Sequence, residues 1–212
     1  PSGVQHMYRC MEFLRPYPNI FTKALLICGF PDETVGEMMQ TVKLTQNAGF
    51  DWGTIQTLNY IPGVEITNHA IEQGKIDKKA MLDGTERPGV GSTGWQIKRE
   101  AAEAKKAKQF EDLFLVQDLR QVHDADKIMD YWFLMDYKIN YERLLANDNP
   151  LKLGMLRKLF INICDNTHHT NALGNLFFAV IESKVGTKEE AARRLALARK
   201  SADELDYWKV RF

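Results

Sequence analysis

The sequence has 212 residues, 44% of them hydrophobic, and its 28 basic residues are balanced by 28 acidic ones. A chain of this length can bury the core of one large or two small domains, and its composition excludes a disordered or fibrous protein. The formal net charge of zero argues against nucleic acid or an anionic membrane as the main partner, because both select proteins with a basic face.

The first third of the chain alternates between helix and strand patterns. Apolar residues at three- and four-residue spacing from Val4 to Leu14 predict an amphipathic helix, which two prolines then end. The apolar run at residues 24 to 28 stops at Gly29. A run this short, without alternation, is typical of a parallel strand that is covered on both faces.

A second helix and a second strand follow Gly29. Thr34 and Glu37 have the spacing of a capping box, and the helix that they open should end at Gly49. Residues 54 to 60 predict a strand, and residues 65 to 73 a short helix. Strand, helix and strand at this spacing form a βαβ unit, in which the two strands are parallel.

The rest of the chain is a turn-rich segment followed by helices. Residues 83 to 95 are rich in Gly and predict a linker or a loop, and residues 96 to 212 predict a helical domain. Helical patterns cover about 96–121, 125–147, 150–164 and 170–183, and a last helix should begin at Thr187, where the capping-box spacing recurs. The apolar run at residues 131 to 135 predicts a core between helices.

Cysteine usage and hydropathy indicate the compartment. Cys10, Cys28 and Cys164 are odd in number and far apart, which is not a disulfide framework and favours a reducing environment. No apolar run reaches the roughly 18 to 20 residues of a membrane span, and no signal peptide is evident. We therefore predict a cytoplasmic protein that does not contact a membrane. Cys164 and the adjacent His168 and His169 predict a helix end rather than a metal site, because adjacent side chains diverge.

Two turns carry the information about function. The strand that ends at Cys28 is followed by Gly-Phe-Pro-Asp-Glu-Thr, and the second strand ends in Tyr-Ile-Pro-Gly at residues 60 to 63. In order and distance these turns resemble those after the fifth and sixth strands of radical S-adenosylmethionine (radical SAM) enzymes, although Asp32 stands where the family commonly has Gly. Residues 72 to 76, Glu-x-Gly-Lys-Ile, are similar to a segment of members with a cobalamin-binding domain. The resemblance covers about residues 1 to 82.

The resemblance implies an α/β fold: the late, parallel-paired strands of a partial (β/α) barrel at residues 1 to 82, followed by a mostly α-helical carboxyl-terminal region. The parent enzyme would use a 4Fe–4S cluster to cleave S-adenosylmethionine to a 5′-deoxyadenosyl radical, which attacks a small-molecule or unknown substrate. The family's Cys-x-x-x-Cys-x-x-Cys cluster motif is absent here. We therefore expect a carboxyl-terminal fragment whose cluster ligands lie upstream of Pro1 and which has no catalytic residues of its own. Whether cobalamin is also bound stays open.

The resemblance also implies which residues would bind the cofactor. The adenine would lie beside Ile27, Cys28 and Gly29, mainly through backbone groups. Glu33 and Thr34 would fix the start of the following helix, Tyr60 and Pro62 would border the same crevice, and Pro31 belongs to the same set of cofactor-binding residues. Each of these residues also has a purely structural interpretation. Glu33 can cap a helix, Cys28 can be a small core residue, and Tyr60 can belong to the core.

A different class of function is compatible with the same residues. The chain could be a non-catalytic binding or scaffold protein, in which a small α/β unit is fused to a helical bundle. In either case two strands cannot close a barrel, and an unpaired strand edge invites pairing with another chain. We therefore predict that the isolated chain self-associates.

Overall fold

Helices and one pair of strands follow each other in the order that the sequence indicates. The computed structural model describes residues 3–83, 109, 111–114, 118–124 and 127–212. The first part contains α1 (Val4–Leu14), β1 (Lys23–Cys28), α2 (Val35–Ala48), β2 (Trp52–Thr57), α3 (Glu65–Glu72) and α4 (Lys78–Leu82).

Helical segments make up the second part. A 3-10 turn at Glu111–Phe114 precedes α5 (Ile128–Asp136), which continues as a π-helix (Tyr137–Tyr141) and a 3-10 turn (Glu142–Leu144). Then come α6 (Pro150–Ile161), a π-helix (Asn162–Thr167), α7 (Ala172–Val185), α8 (Lys188–Glu204) and α9 (Asp206–Arg211). None of the helices in the described ranges is long and apolar enough to cross a membrane.

The βαβ unit is confirmed. Strands β1 and β2 are parallel, with Lys23 opposite Trp52 and Cys28 opposite Thr57. Helix α2 begins with a complete capping box, and it ends at Gly49, whose φ of 82° is the left-handed conformation that glycine adopts without strain. Strand β2 begins before the predicted residue 54 and ends before residue 60, because the chain turns away after Leu58 donates to the carbonyl of Cys28.

The mixed α/β class and the mostly helical carboxyl-terminal region are also confirmed. The predicted loop at 83–95, apart from Asp83, and most of the predicted helix at 96–121 lie outside the described residues. At the start of α8 the Thr187 hydroxyl accepts from the Glu190 amide, as its spacing predicts. The Glu190 carboxylate, however, binds Arg193 and Arg194 instead of reaching back to Thr187, because two guanidinium groups lie within reach.

One face of the sheet is covered, and the other is open along β1. The covered face carries Cys28 and Ile55, which pack in one cluster with residues of α2 and α5. On the opposite face Leu25 is 79% exposed and Ile27 is 48% exposed. The expectation that β1 is buried on both faces is therefore wrong for the described chain. An apolar run does not distinguish a strand with two covered faces from one that places apolar side chains on an open face.

Side chains from the helical part occupy the outer edge of β2. The Asn140 amide donates to the Gly53 carbonyl and accepts from the Gly53 amide, each at 2.7 Å, as a neighbouring strand would. Trp132 Nε1 donates to the Ile55 carbonyl at 2.8 Å. A Cβ on Gly53 would lie 2.6 Å from a methyl group of Ile139, so a glycine is required for this approach. The edge of β1 has no such cover among the described residues, where β1 pairs with β2 alone.

A second, aromatic core joins the sheet to the helices. The Trp52 ring meets the ring of Phe160 edge to face at 5.6 Å and that of Tyr141 at 5.9 Å. Edge-to-face pairs of this kind contribute about 0.5 to 1.5 kcal/mol beyond the area that they bury. The predicted core at residues 131 to 135 is confirmed, since Phe133 and Leu134 belong to this aromatic cluster and Met135 to the cluster beneath the sheet.

Candidate functional site

The candidate site lies where the carboxyl ends of β1 and β2 meet, the position at which α/β folds bind ligands. Gly29 ends β1 with a φ of 87°, a left-handed conformation that side chains rarely adopt, so the turn requires glycine. A Cβ on Gly29 would also lie 3.0 Å from the side chain of Ile128. The missing side chain therefore allows both the left-handed turn at Gly29 and the close packing of α5 against it.

Glu33 holds this turn together. Its carboxylate accepts from the amide of Gly29 at 2.6 Å and from the amide of Phe30 at 3.2 Å. Burial raises the pKa of Glu33, and the two amide bonds act in the opposite direction by stabilising the charged form. Glu33 therefore organises the turn itself, whereas Thr34 and Glu37 cap the helix that follows.

Tyr60 links the two strand ends. Its hydroxyl donates to the Gly29 carbonyl at 3.4 Å, and the side chain is half-buried. Burial raises the pKa of Tyr60, and the negative charge of Asp32 raises it further, so the phenol stays protonated at neutral pH. The structure thus brings together three of the predicted site residues, Gly29, Glu33 and Tyr60, through hydrogen bonds.

The other predicted site residues lie around this group in different surroundings. Ile27 is on the open face of the sheet, while Cys28 is fully buried on the covered face. Burial raises the pKa of the Cys28 thiol to about 12, so this side chain is an inert part of the core. Pro31 is buried in the turn, and Pro62 is exposed beyond the end of β2.

Asp32, where the sequence departs from the family pattern, braces the turn against α3. Its carboxylate lies 3.2 Å from His69 Nε2 and accepts from Gln73 Nε2, also at 3.2 Å. Lys75 Nζ donates both to this carboxylate and to the carbonyl of Pro31. Hydrogen bonds from Gln73, His69 and Lys75, in that order of effect, lower the pKa of Asp32. A glycine at this position could form none of these side-chain contacts.

A short segment from beyond the sheet, residues 118–124, lies across the start of α2; we call it the strap. The carbonyl of Leu119 accepts from the Gly36 amide at 2.8 Å, and the carbonyl of Gln121 accepts from the Val35 amide at 3.0 Å. The His123 amide donates to the Glu33 carbonyl, and its Nε2 lies 2.8 Å from the Phe30 carbonyl. The first amides of α2, which could otherwise bind an anion, are therefore engaged by the chain itself.

Neither the strap nor the contacts that join Asp32 to the end of α3 could be predicted from the sequence. The position of Asp32 offered a signal, because a charged residue replaced the expected glycine of a tight turn. Gly36 offered a weaker one, since a glycine in the first turn of a helix lowers helix propensity. Its role is steric: a Cβ there would lie 2.6 Å from the Leu119 carbonyl oxygen. His123 gave no local signal, because its partner Phe30 is distant in sequence.

The described residues contain no group of three or more His, Cys, Asp or Glu side chains that could hold a metal ion. Cys10 is exposed on α1, whereas Cys28 and Cys164 are buried in separate clusters. Burial raises the pKa of Cys164 to about 12, which opposes the thiolate form that metals require. The helix end predicted at Cys164 to His169 is confirmed, since the π-helix stops at Thr167.

Comparison with known proteins identifies no relative: no family model, no curated protein and no solved structure matches this chain.

Proposed function

We propose that this chain is the carboxyl-terminal portion of a radical SAM enzyme, in which β1 and β2 are the last two strands of a partial barrel. The observation that carries the proposal is the asymmetry of the sheet. The outer edge of β2 is sealed by Asn140 and Trp132, while β1 has an open edge and, at Leu25 and Ile27, an open apolar face. Among the described residues, the edge of β1 is thus the one left open to further strands, and it is where earlier strands of a barrel would lie.

The open face adjoins the residues that the resemblance assigns to the cofactor. Ile27 offers an exposed apolar surface to a flat ring, and Gly29 lies at the end of the same strand. Bound S-adenosylmethionine would supply the 5′-deoxyadenosyl radical on reduction. The chain's own part is to position the molecule. Glu33 fixes the conformation of the turn beneath it, and Tyr60 ties that turn to the end of β2.

The three cysteines of this chain do not fit a 4Fe–4S cluster. An iron–sulfur cluster is held by thiolates. Cys28 and Cys164, in contrast, are buried and protonated, and they lie in two different hydrophobic cores. In the proposed enzyme the cluster ligands belong to residues upstream of Pro1. A cobalamin, if the parent enzyme binds one, would likewise rest on residues outside this chain.

One observation favours the second candidate, a non-catalytic binding or scaffold protein. The amides of Gly29 and Phe30 are bound by Glu33, and those of Val35 and Gly36 are bound by the strap. A site whose backbone donors are already engaged has fewer groups with which to hold a polar ligand. In this candidate the open face of β1 binds a partner protein rather than a nucleotide-like cofactor.

The deciding experiment uses the full natural reading frame, purified without oxygen and reduced. About four irons per chain, with release of 5′-deoxyadenosine from S-adenosylmethionine, is the result expected of the radical SAM enzyme. Absence of both, in a frame that adds no cysteine triplet, would leave the binding protein as the explanation.

A pair of variants then tests the open face. Ile27→Glu places a charge where we propose that the adenine lies, so it should abolish 5′-deoxyadenosine release while leaving the iron content unchanged. Phe13→Glu is the matched control, because Phe13 is a comparably large apolar side chain that is 72% exposed on α1. Equal loss of activity in both variants, or full activity of Ile27→Glu, would contradict the proposed site.

The open edge of β1 is also the surface through which we propose that the isolated chain self-associates. An unpaired strand edge is a template for another strand, and only the β1 edge is free of side-chain cover among the described residues. We expect a concentration-dependent dimer in sedimentation, and Leu25→Pro, which removes one backbone N–H from β1, should weaken it. A monomer at millimolar concentration would refute this.

A further inference from the structure

We propose that a cavity at the amino-terminal end of β2 binds a small molecule through a carboxylate or phosphate group. The cavity has a volume of about 420 Å³ and lies between the start of β2 and the start of α6, at the opposite end of the strands from the candidate site. Its polar lining consists of Asp51, Asn140, Arg143, Asn147, Asn149 and Lys152.

The lining carries an excess of positive charge. Lys152 Nζ donates to Asp51 Oδ2 at 2.8 Å, and the same carboxylate oxygen accepts from the amide and hydroxyl of Thr22. Asp51 is thus already engaged by Lys152. Arg143 donates to the carbonyl of Phe50 at 2.8 Å and forms no ion pair with any residue in the described part of the chain. One guanidinium charge therefore faces the cavity without a direct counter-ion.

The environment of Arg143 supports this assignment. Burial lowers the pKa of the guanidinium, and the charge of Asp51 opposes that effect only in part. A partly buried cation of this kind is stabilised when an anion binds beside it. The planar guanidinium fork matches the two oxygens of a carboxylate or phosphate, which it can bind through two parallel hydrogen bonds.

The two asparagines add donors rather than acceptors. Asn147 Oδ1 already accepts from the Asn149 amide, and Asn149 Oδ1 accepts from the amides of Leu151 and Lys152. Their Nδ2 groups have no partner among the described residues. The amino terminus of α6 lies at the same place and adds a partial positive charge. The hydrogen-bonding capacity left by these two residues and Arg143 is therefore mainly that of donors, which an oxyanion satisfies.

The size of the cavity and its apolar wall define the class of ligand further. Pockets for small molecules have volumes of about 300 to 1,000 Å³, and this cavity lies within that range. Leu144 and Leu156 also line it, and both are buried members of the aromatic core. A small organic acid or a phosphorylated metabolite can place its anionic group at Arg143 and its carbon skeleton against these leucines.

The experiment is a titration of the 212-residue chain with inorganic phosphate and, in parallel, with acetate, followed by amide chemical shifts at constant ionic strength. We expect saturable shifts centred on Asn147 and Asn149. Arg143→Gln should weaken binding at least tenfold. Lys158→Gln removes the same charge from an exposed position on α6 outside the cavity, so it should bind like the natural chain. Saturation by phosphate alone would assign a phosphate group, and saturation by acetate alone a carboxylate.

A second variant keeps the test decisive if Arg143→Gln does not fold. Asn147→Asp retains the oxygen that accepts from the Asn149 amide and adds a negative charge inside the cavity. It should abolish binding with little change in melting temperature. Unchanged affinity in Asn147→Asp, or no saturable shift near these asparagines with either anion, would overturn the proposal.

Discussion

Replacing Asn140 by alanine tests whether the helical part seals the edge of β2. The Asn140 side chain forms three hydrogen bonds: two with the backbone of Gly53 and one, from Nδ2, to Asp136 Oδ1 at 2.7 Å. Asn140 is only 2% exposed and Gly53 is buried, so water does not readily replace the amide. Asn140→Ala therefore leaves a buried N–H and a buried C=O without partners.

The expected cost follows from those two backbone groups. An unsatisfied buried donor or acceptor costs about 1 to 3 kcal/mol, so the pair should lower the free energy of unfolding by about 2 to 6 kcal/mol. The bond to Asp136 Oδ1 is lost as well, and this adds to the cost because that desolvated carboxyl group loses a hydrogen-bond donor. A loss of this size is a large fraction of the stability of a domain.

Urea denaturation followed by circular dichroism measures the change. Asn166→Ala is the matched control, because Asn166 is exposed and makes one long bond, 3.4 Å, to Asn162; its loss should cost less than about 0.5 kcal/mol. Asn140→Asp gives a second comparison. It keeps the acceptor for the Gly53 amide, removes the donor to the Gly53 carbonyl and adds a carboxylate beside Asp136, so its destabilisation should grow as pH rises.

A loss below about 1 kcal/mol in Asn140→Ala, or equal losses in Asn140→Ala and Asn166→Ala, would refute the reasoning. It would mean that the edge of β2 is satisfied by other means, and the asymmetry between the two edges of the sheet would no longer support the proposed direction of strand addition. If the reasoning holds, Asn140→Ala also exposes a second strand edge and should raise the tendency of the chain to self-associate.

Three further predictions concern pH, the strap and the cap of α2. Burial raises the pKa of the Asp136 carboxyl from 3.8 to about 7, so the folded state holds its proton more tightly and stability falls as pH rises from about 4 to 7. Asp136→Asn should remove about 2 to 4 kcal/mol of that decline in urea titrations, and an unchanged pH profile would contradict it. Gly36→Ala should displace the strap because its Cβ meets the Leu119 carbonyl at 2.6 Å, which faster hydrogen exchange at residues 35 and 36 would report; unchanged exchange would count against the contact. Thr34→Ala removes its half of the capping box and should lower the free energy of unfolding by about 1 to 2 kcal/mol, whereas Glu37→Gln should cost less; equal and negligible losses would contradict the cap.

The local elements of this protein could be predicted because their signals are short-range. The capping residues of α2 and the glycine after it act within a few residues of the helix ends, and both ends are as predicted. The parallel pairing of β1 and β2 also followed, since a helix between two strands leaves room for little else. The same reasoning misplaced the ends of β2, because a strand ends where its partner ends and not where its own apolar pattern stops.

The candidate site could be predicted only in part. The turn with Gly29 and Glu33 was visible as a motif, and the hydrogen bond from Tyr60 joined it in the structure. The sequence did not reveal that Cys28 faces the covered side of the sheet while Ile27 faces the open side. Alternation along a strand separates its two faces, but which face is covered depends on where α2 and the distant helix α5 pack.

Composition and short-range pattern by themselves determined the mixed α/β class, the two ends of α2 and the glycine turn after β1. Tertiary structure decided which edge of the sheet is sealed, which of its faces is open and where Arg143 meets a polar cavity. These features depend on contacts such as that between Asn140 and Gly53, which are 87 positions apart. No local pattern encodes such a pair, because its free energy is realised only when the helices have packed against the strands.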